Sequence, residues 1–374
     1  MSGETGTTTL RPERPEDRPP DRVSGRPQIR VGPFSGVWRP RAIAVTVAGL
    51  ALLVLVAAVN IGRGDFPISI VDVLRVLAGG GDGSQQFIVL ELRLPRTLTG
   101  ILVGIALGIA GAILQTITRN PLASPDFLGF MSGASAAAVA VIVLSGSYGA
   151  VATTLSLIGV PMAALAGGLL TAAVVYALAW RGGIEGYRLI LVGVGANAAA
   201  LAITSWLLVV AQIYVASQAM TWLTGSLNAR GWEHVVPVGL ALGVLVPVAL
   251  LLTFGLGALQ FGDDTARGLG VRVNWARTVL ILMAVGLASV ATASAGPIAF
   301  VALMVPQICL RLAGAARPPL LTSAVYGALL VVASDLIART VLSTELPVGI
   351  VTAVIGAVYL LFLLTRRNRK VSIT

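Results

Sequence analysis

Ten apolar stretches, separated by short polar or Gly/Pro-containing connections, leave this 374-residue chain only a lipid bilayer as its solvent. Counting runs of at least ~17 residues, with Gly and Pro allowed inside, places them at about 42–61, 94–116, 126–145, 151–180, 189–211, 235–256, 278–295, 298–313, 319–342 and 346–365. In hydrocarbon each run must satisfy its own backbone polar groups, so the expected fold is an all-α membrane protein with ten transmembrane helices. The seventh and eighth runs are separated only by Ala295-Gly296-Pro297, and a tight turn or broken helix is expected there. Composition agrees: 56% of residues are hydrophobic and 11% charged, and mean hydropathy is +0.90.

The charges select an orientation. With ten spans both termini share one side, and placing them in the cytoplasm puts 20 of the 26 basic residues inside. Only Arg63, Arg75, Arg93, Arg96, Arg230 and Arg339 fall outside. Removing residues 1–41 still leaves 12 against 6. The net charge of +10 does not form a stripe on a folded surface, which argues against nucleic acid as a partner. One cysteine, Cys309, and one histidine, His234, exclude a disulfide framework or a His/Cys metal site within one chain. The sole lysine, Lys370, lies between Arg369 and Val371, so the Gly-Lys-Ser/Thr of a phosphate-binding loop is absent. Any ATP energy has to come from a partner.

Three domains of behaviour are expected. Residues 1–41, with eight Arg, five acids and seven Pro, read as a disordered cytoplasmic tail; 42–366 form the ten-helix transmembrane unit, with a cytoplasmic loop at 259–275; and 367–374 form a second cytoplasmic tail. Within the loop lies a polar island, Gly262, Asp263, Asp264, Thr265, Ala266, Arg267, Gly268, Leu269 and Gly270, whose composition suits one short helix. Asp263 or Asp264 is expected to accept from first-turn amides, Arg267 to favour the carboxyl end, and Gly268 or Gly270 to provide a left-handed stop. Along the second span Gly100, Gly104, Gly108 and Gly111 recur at helical spacing, a pattern expected for close helix packing. Asp126 is expected to cap the helix it precedes, and Asp335 to pair with Arg339 four residues on. No series of acids or histidines runs through the spans, which disfavours the alternative of an ion-coupled secondary transporter.

Several strings resemble the FecCD-type permeases, the membrane subunits of ABC importers for iron-siderophore complexes, haem and cobalamin. They are Leu92-Arg93-Leu94-Pro95-Arg96-Thr97-Leu98, Gly111-Ala112-Ile113-Leu114-Gln115, Asn120-Pro121-Leu122-Ala123-Ser124-Pro125-Asp126-Phe127-Leu128-Gly129, Trp222-Leu223-Thr224-Gly225-Ser226, the polar island, Gly296-Pro297-Ile298-Ala299-Phe300-Val301 and Glu345-Leu346-Pro347-Val348-Gly349-Ile350-Val351-Thr352. They follow the family order across about 90–355.

This resemblance implies the type II ABC importer permease architecture in the cell membrane. It implies a second permease subunit, identical or paralogous, two ATP-binding subunits inside that carry ATP and Mg, and an extracytoplasmic solute-binding lipoprotein or protein outside. It implies no cofactor on this chain and no catalytic residue. It makes Gly262–Gly270 the ATPase-coupling element, and Arg93, Arg96 and Arg339 the residues that meet acids on the binding protein. By the same resemblance the inner gate lies before the fifth span, at Glu185, Gly186 and Tyr187, where this chain departs from the small hydroxyl residues of cobalamin-type members. The end Gly356-Ala357-Val358-Tyr359-Leu360 is similar to ferric catecholate permeases, which leans the expected cargo toward a ferric siderophore, with haem or cobalamin as the alternative.

Overall fold

The computed structural model describes residues 22–23, 26–31, 34–37, 39–64, 66–146, 152–181, 186–341 and 345–371. Within the stretch assigned to the N-terminal tail, three short antiparallel strands occur in the order β1 (Arg22–Val23), β2 (Arg26–Val31) and β3 (Phe34–Val37). All else that is regular is helical: α1 (Pro40–Gly62), α2 (Ile70–Leu77), α3 (Gly83–Gln86), a π-helical segment Phe87–Arg93, α4 (Leu94–Thr118), α5 (Phe130–Gly146), α6 (Ala152–Ala179) and α7 (Gly186–Val210). There follow α8 (Ile213–Leu223), α9 (Trp232–Leu251), α10 (Thr253–Leu259), α11 (Asp263–Gly268), α12 (Val273–Ala295), α13 (Val301–Ala313), α14 (Leu320–Thr340) and α15 (Val348–Val371).

Each of the ten apolar runs contains one main helix, α1, α4, α5, α6, α7, α9, α12, α13, α14 or α15, and the sixth run continues past α9 into α10. Among the described residues seven helices are long and apolar enough to cross a membrane, and the apolar parts of α5, α13 and α15 are shorter. The 13 residues of α13 reach roughly 20 Å at 1.5 Å per residue, less than the ~30 Å of hydrocarbon. Its shortness follows from the expected break. Gly296 ends α12 at φ +74°, and Phe300 opens α13 in the left-handed region at φ +66°.

That break is held from two directions. Ser226 N–H donates to the Ala295 carbonyl at 2.8 Å, and Gly349 N–H donates to the Gly225 carbonyl at 3.0 Å, stitching three distant loops together. From the other side Asp126 Oδ2 accepts from the Phe300 amide at 3.1 Å. Asp126 therefore caps the entry to α13, 174 residues away. The expectation that it caps its own helix is corrected, because the turn 120–129 carries the carboxylate across to α13.

Helix α4 is the hub, packing against α9, α12, α13 and α14. Its glycines explain how. A Cβ on Gly108 would lie 2.1 Å from the Ser323 carbonyl oxygen of α14, and one on Gly111 would lie 1.9 Å from that of Ala302 in α13. Lipid tails are as apolar as leucine, so close backbone approach and dispersion hold such contacts in a bilayer. The buried amide of Gln115 donates to the Leu303 carbonyl at 2.9 Å and accepts from Gln307 at 2.7 Å, so that polar side chain is paired within the seam between α4 and α13. By contrast α1 is mostly unburied and presents Val47, Leu50 and Val54 outward, as a lipid-facing helix does.

Candidate functional site

Charge gathers at the two ends of this apolar bundle, and α4 connects them. Arg96 lies near its start and Arg119 caps its end, 23 residues and so roughly 34 Å apart.

At the Arg119 end, α11 is the short helix expected from the polar island, but its acids act differently. Gly262, at φ +108°, is the N-cap, and no side chain caps the helix. Asp263 Oδ1 instead accepts from Arg277 of α12 at 2.6 Å and from Arg119 at 3.0 Å. Partial burial disfavours ionisation of Asp263, yet the hydrogen bond and charge of Arg277, with the charges of Arg119 and Arg267, hold its carboxyl below the ordinary value. Two opposite charges at hydrogen-bond distance outweigh modest desolvation. Asp264 faces solvent and, among the described residues, pairs only with Arg267, at 2.9 Å. The stop is made by Gly270, at φ +79°, rather than by Gly268: its amide donates to Arg267 and that of Val271 to Ala266. Ala266 is fully buried beneath the helix, whereas Phe261 and Leu269 are exposed beside Thr265, Arg267 and Asp264. The result is a small rigid knob clamped on one face and open on the other.

The stretch expected as a gate adjoins this knob. Glu185 lies outside the described residues, but Gly186 and the exposed Tyr187 begin α7. They line a cavity of about 420 Å³ together with Thr118, Arg119, Asp263 and Arg277. Two regions separated by some 75 positions in the chain thus share one cavity wall.

At the opposite end the three arginines singled out from the sequence converge on one buried carboxylate and its surroundings. Asp335 is 2% exposed; Arg96 Nη2 donates to its Oδ1 at 2.8 Å, and Arg339 Nε lies 3.5 Å from its Oδ2. Asn60 Nδ2 adds a donor to Oδ2 at 3.2 Å. Arg96 also reaches Glu345 at 2.6 Å, and Arg339 donates to the backbone carbonyls of Asn60 and Arg63. Arg93 is buried and donates to the carbonyls of Ile61 and Phe66 at 2.9 and 2.6 Å, binding the end of α1 to α4. The wide turn of the π segment ends at Arg93 and lets the chain rotate this side chain inward. The expected pair of Asp335 with Arg339 is present, but the bidentate partner is Arg96, 239 residues away. None of the three arginines projects freely into water. They form the floor of an open basin of about 700 Å³ that Glu91, Arg230, Glu233 and Glu345 also line.

Sequence reasoning missed Asn60, Glu345, Arg119 and Arg277 as partners. For the last two a signal existed, because the charge count already placed them on the same side as the island. Glu345 opens one of the resemblance strings, and Asn60 is the only Asn in the first apolar run.

Bilayer-length apolar helices packed through glycine, with ionised groups confined to the two ends, define a multi-pass integral membrane protein of the transport class. Residues 50–366 match the FecCD transport family, and the chain belongs to that family. It is 38% identical over 336 residues, spanning 89% of this chain and 99% of the other, to the ferric enterobactin transport system permease protein FepG of Escherichia coli. It is 40% identical over 347 residues, spanning 89% and 97%, to the achromobactin transport system permease protein CbrC of Dickeya dadantii. Among solved structures, one of a metal-chelate-type ABC transporter in an inward-facing conformation is similar at TM-score 0.75 and 27% identity, over 87% of this chain and 99% of that one.

Proposed function

We propose that this chain is the transmembrane permease subunit of an ATP-driven importer of ferric siderophores, with ten membrane crossings and both termini in the cytoplasm. The three shorter apolar helices α5, α13 and α15 complete the ten, and the excess of arginine at the α11 end favours that end as the inner one. Two identical or paralogous copies would enclose the pathway. Two ATPase subunits would grip the inner face, and an extracytoplasmic binding protein would deliver the chelate.

The observation that carries this reading is α11. A helix of six residues is too short to be stable alone. Here Asp263 clamps it to α4 and α12, so a push on its free face is passed to two helices that cross the bundle. ATP-driven movement of a partner against Phe261, Asp264, Arg267 and Leu269 would shift α12 and α4 together and reshape the cavity at Gly186 and Tyr187. The basin at the other end supports docking of a binding protein in a modified form. Arg93, Arg96 and Arg339 shape its floor, and Arg96 with Glu345 is the part of that network nearest to water.

The test is charge reversal at the free face. Asp264→Arg and Arg267→Glu are expected to abolish stimulation of the ATPase by the permease while membrane insertion and yield stay unchanged. Full stimulation by both variants would remove α11 from the coupling path.

A further inference from the structure

A second group of arginines lies at the Arg119 end of the bundle, outside the Asp263 clamp, where Arg317 lines a cavity with Arg119 and Phe261. Arg39 and Arg41 precede and open α1, Arg311 lies in the last turn of α13, and Arg317 lies in the connection to α14. Three chain segments bring them together. Arg41 Nε and Nη2 donate to the carbonyls of Leu312 and Arg311 at 2.8 and 3.3 Å, capping the carboxyl end of α13. Arg317 Nη1 donates to the Thr253 carbonyl at 3.0 Å, and its guanidinium lies over Gly257 of α10. Burial first, and the charge of Arg39 second, lower the Arg317 pKa, so Arg39 and Arg317 feel one another directly.

Arg96, Arg119, Arg267, Arg277 and Arg339 each pair with a carboxylate. Among the described residues no acid pairs with Arg39, Arg41 or Arg317, and the hydrogen bonds of Arg41 and Arg317 go to neutral carbonyls. Like charges gathered in this way, with no counter-charge among the described residues, repel one another, and an anion brought among them recovers part of that energy. The surroundings say which kind of anion. Ile43, Leu312 and Leu321 are exposed apolar side chains of α1, α13 and α14 beside the cluster, on helices that end at the membrane boundary. A ligand that satisfies both features carries a phosphate at the level of the arginines and acyl chains beside the helices.

We propose that Arg39, Arg41 and Arg317 form a binding site for the phosphodiester headgroup of an anionic glycerophospholipid. The lipid neutralises the cluster and fastens the start of α1 to the end of α13, two segments separated by some 270 positions in the chain. Arg41 and Arg317 are the preorganised members, since their own bonds to α13 and to Thr253 already fix them, and the exposed Arg39 supplies further charge.

The experiment uses the full chain, purified in detergent and delipidated, with lipid binding followed by native mass spectrometry. Short-chain phosphatidylglycerol is expected to be retained and phosphatidylcholine of the same chain length not. Each arginine near a headgroup contributes about fivefold, so Arg39→Gln with Arg317→Gln is expected to weaken phosphatidylglycerol binding roughly 25-fold. Arg39→Lys with Arg317→Lys keeps the charge and should stay within about fivefold of the parent, which separates a headgroup site from a fold requirement. Equal retention of the two lipids, or undiminished binding by the Gln pair, would overturn the proposal. Displacement of the lipid by inorganic phosphate at equal concentration would reassign the arginines to a free anion and overturn it too.

Discussion

Replacing Asp335 by Asn keeps the size of the side chain and removes the one charge around which the outer network is built. In the parent, two guanidiniums that are 11% and 10% exposed share a carboxylate that is 2% exposed. Removing one member of a buried ion pair costs about 3–5 kcal/mol, because the partner is left buried and uncompensated. Here Arg96 retains Glu345 at 2.6 Å, and Arg339 retains the carbonyls of Asn60 and Arg63. The loss is therefore placed at the lower end, about 3 kcal/mol for Asp335→Asn, and nearer 5 for Asp335→Ala, which leaves a void as well. The assay is equilibrium unfolding of the purified protein by sodium dodecyl sulfate in mixed micelles, read by tryptophan fluorescence. Asp72→Asn is the internal control, since its pair with Arg75 is largely exposed, with 62% of the arginine side chain accessible, and is worth less than about 1 kcal/mol. If Asp335→Asn and Asp72→Asn lose equal stability, Asp335 is not the centre of the network and the reasoning fails.

Gly111→Val drives a branched side chain into the Ala302 carbonyl of α13 and should cost at least about 1–3 kcal/mol by the same unfolding assay, whereas Gly243→Ala, where a Cβ meets nothing, should be neutral. The Asp263 clamp should be insensitive to mild acid. A carboxyl whose folded-state pKa lies below its unfolded one contributes stability above the unfolded value and loses it as pH falls through the folded value. Crosslinking of a cysteine pair placed across α11 and α12 should therefore be constant from pH 7 through the ordinary carboxylate range and fall only below it; a decline centred near pH 6 would contradict the clamp. Asp263→Asn should loosen the same crosslink at neutral pH without altering the unfolding midpoint of the bundle.

The helices were legible because lipid imposes one rule on the whole chain. A run of apolar residues long enough to span must be helical, and Gly296-Pro297 must interrupt it, so all ten elements and the break at α12–α13 follow from the sequence. The island was legible as a helix for a local reason, its glycine boundaries and compact size. What its acids do was not. Asp263 turns away from its own first turn because Arg119 and Arg277 offer charged donors where free amides offer only neutral ones. Asp126 likewise leaves its own helix for Phe300, 174 positions away, and Arg96 takes Asp335 at a separation of 239. Such partners are set by which helices neighbour α4 in space, and the order of runs along a chain does not carry that information. The expectation that Arg93, Arg96 and Arg339 meet a partner foresaw only one of their internal contacts, that of Arg339 with Asp335. Burial beside carbonyls and a carboxylate gives them internal work first.

The account rests most on the claim that this permease moves a chelated ferric ion only when a separate ATPase drives it. Uptake of a radiolabelled ferric catecholate into proteoliposomes, with the binding protein present and with or without the ATPase subunits, measures that directly. Uptake that requires the ATPase and ATP, and is indifferent to a proton ionophore, is the predicted result; uptake that persists without the ATPase and collapses with the ionophore would contradict it.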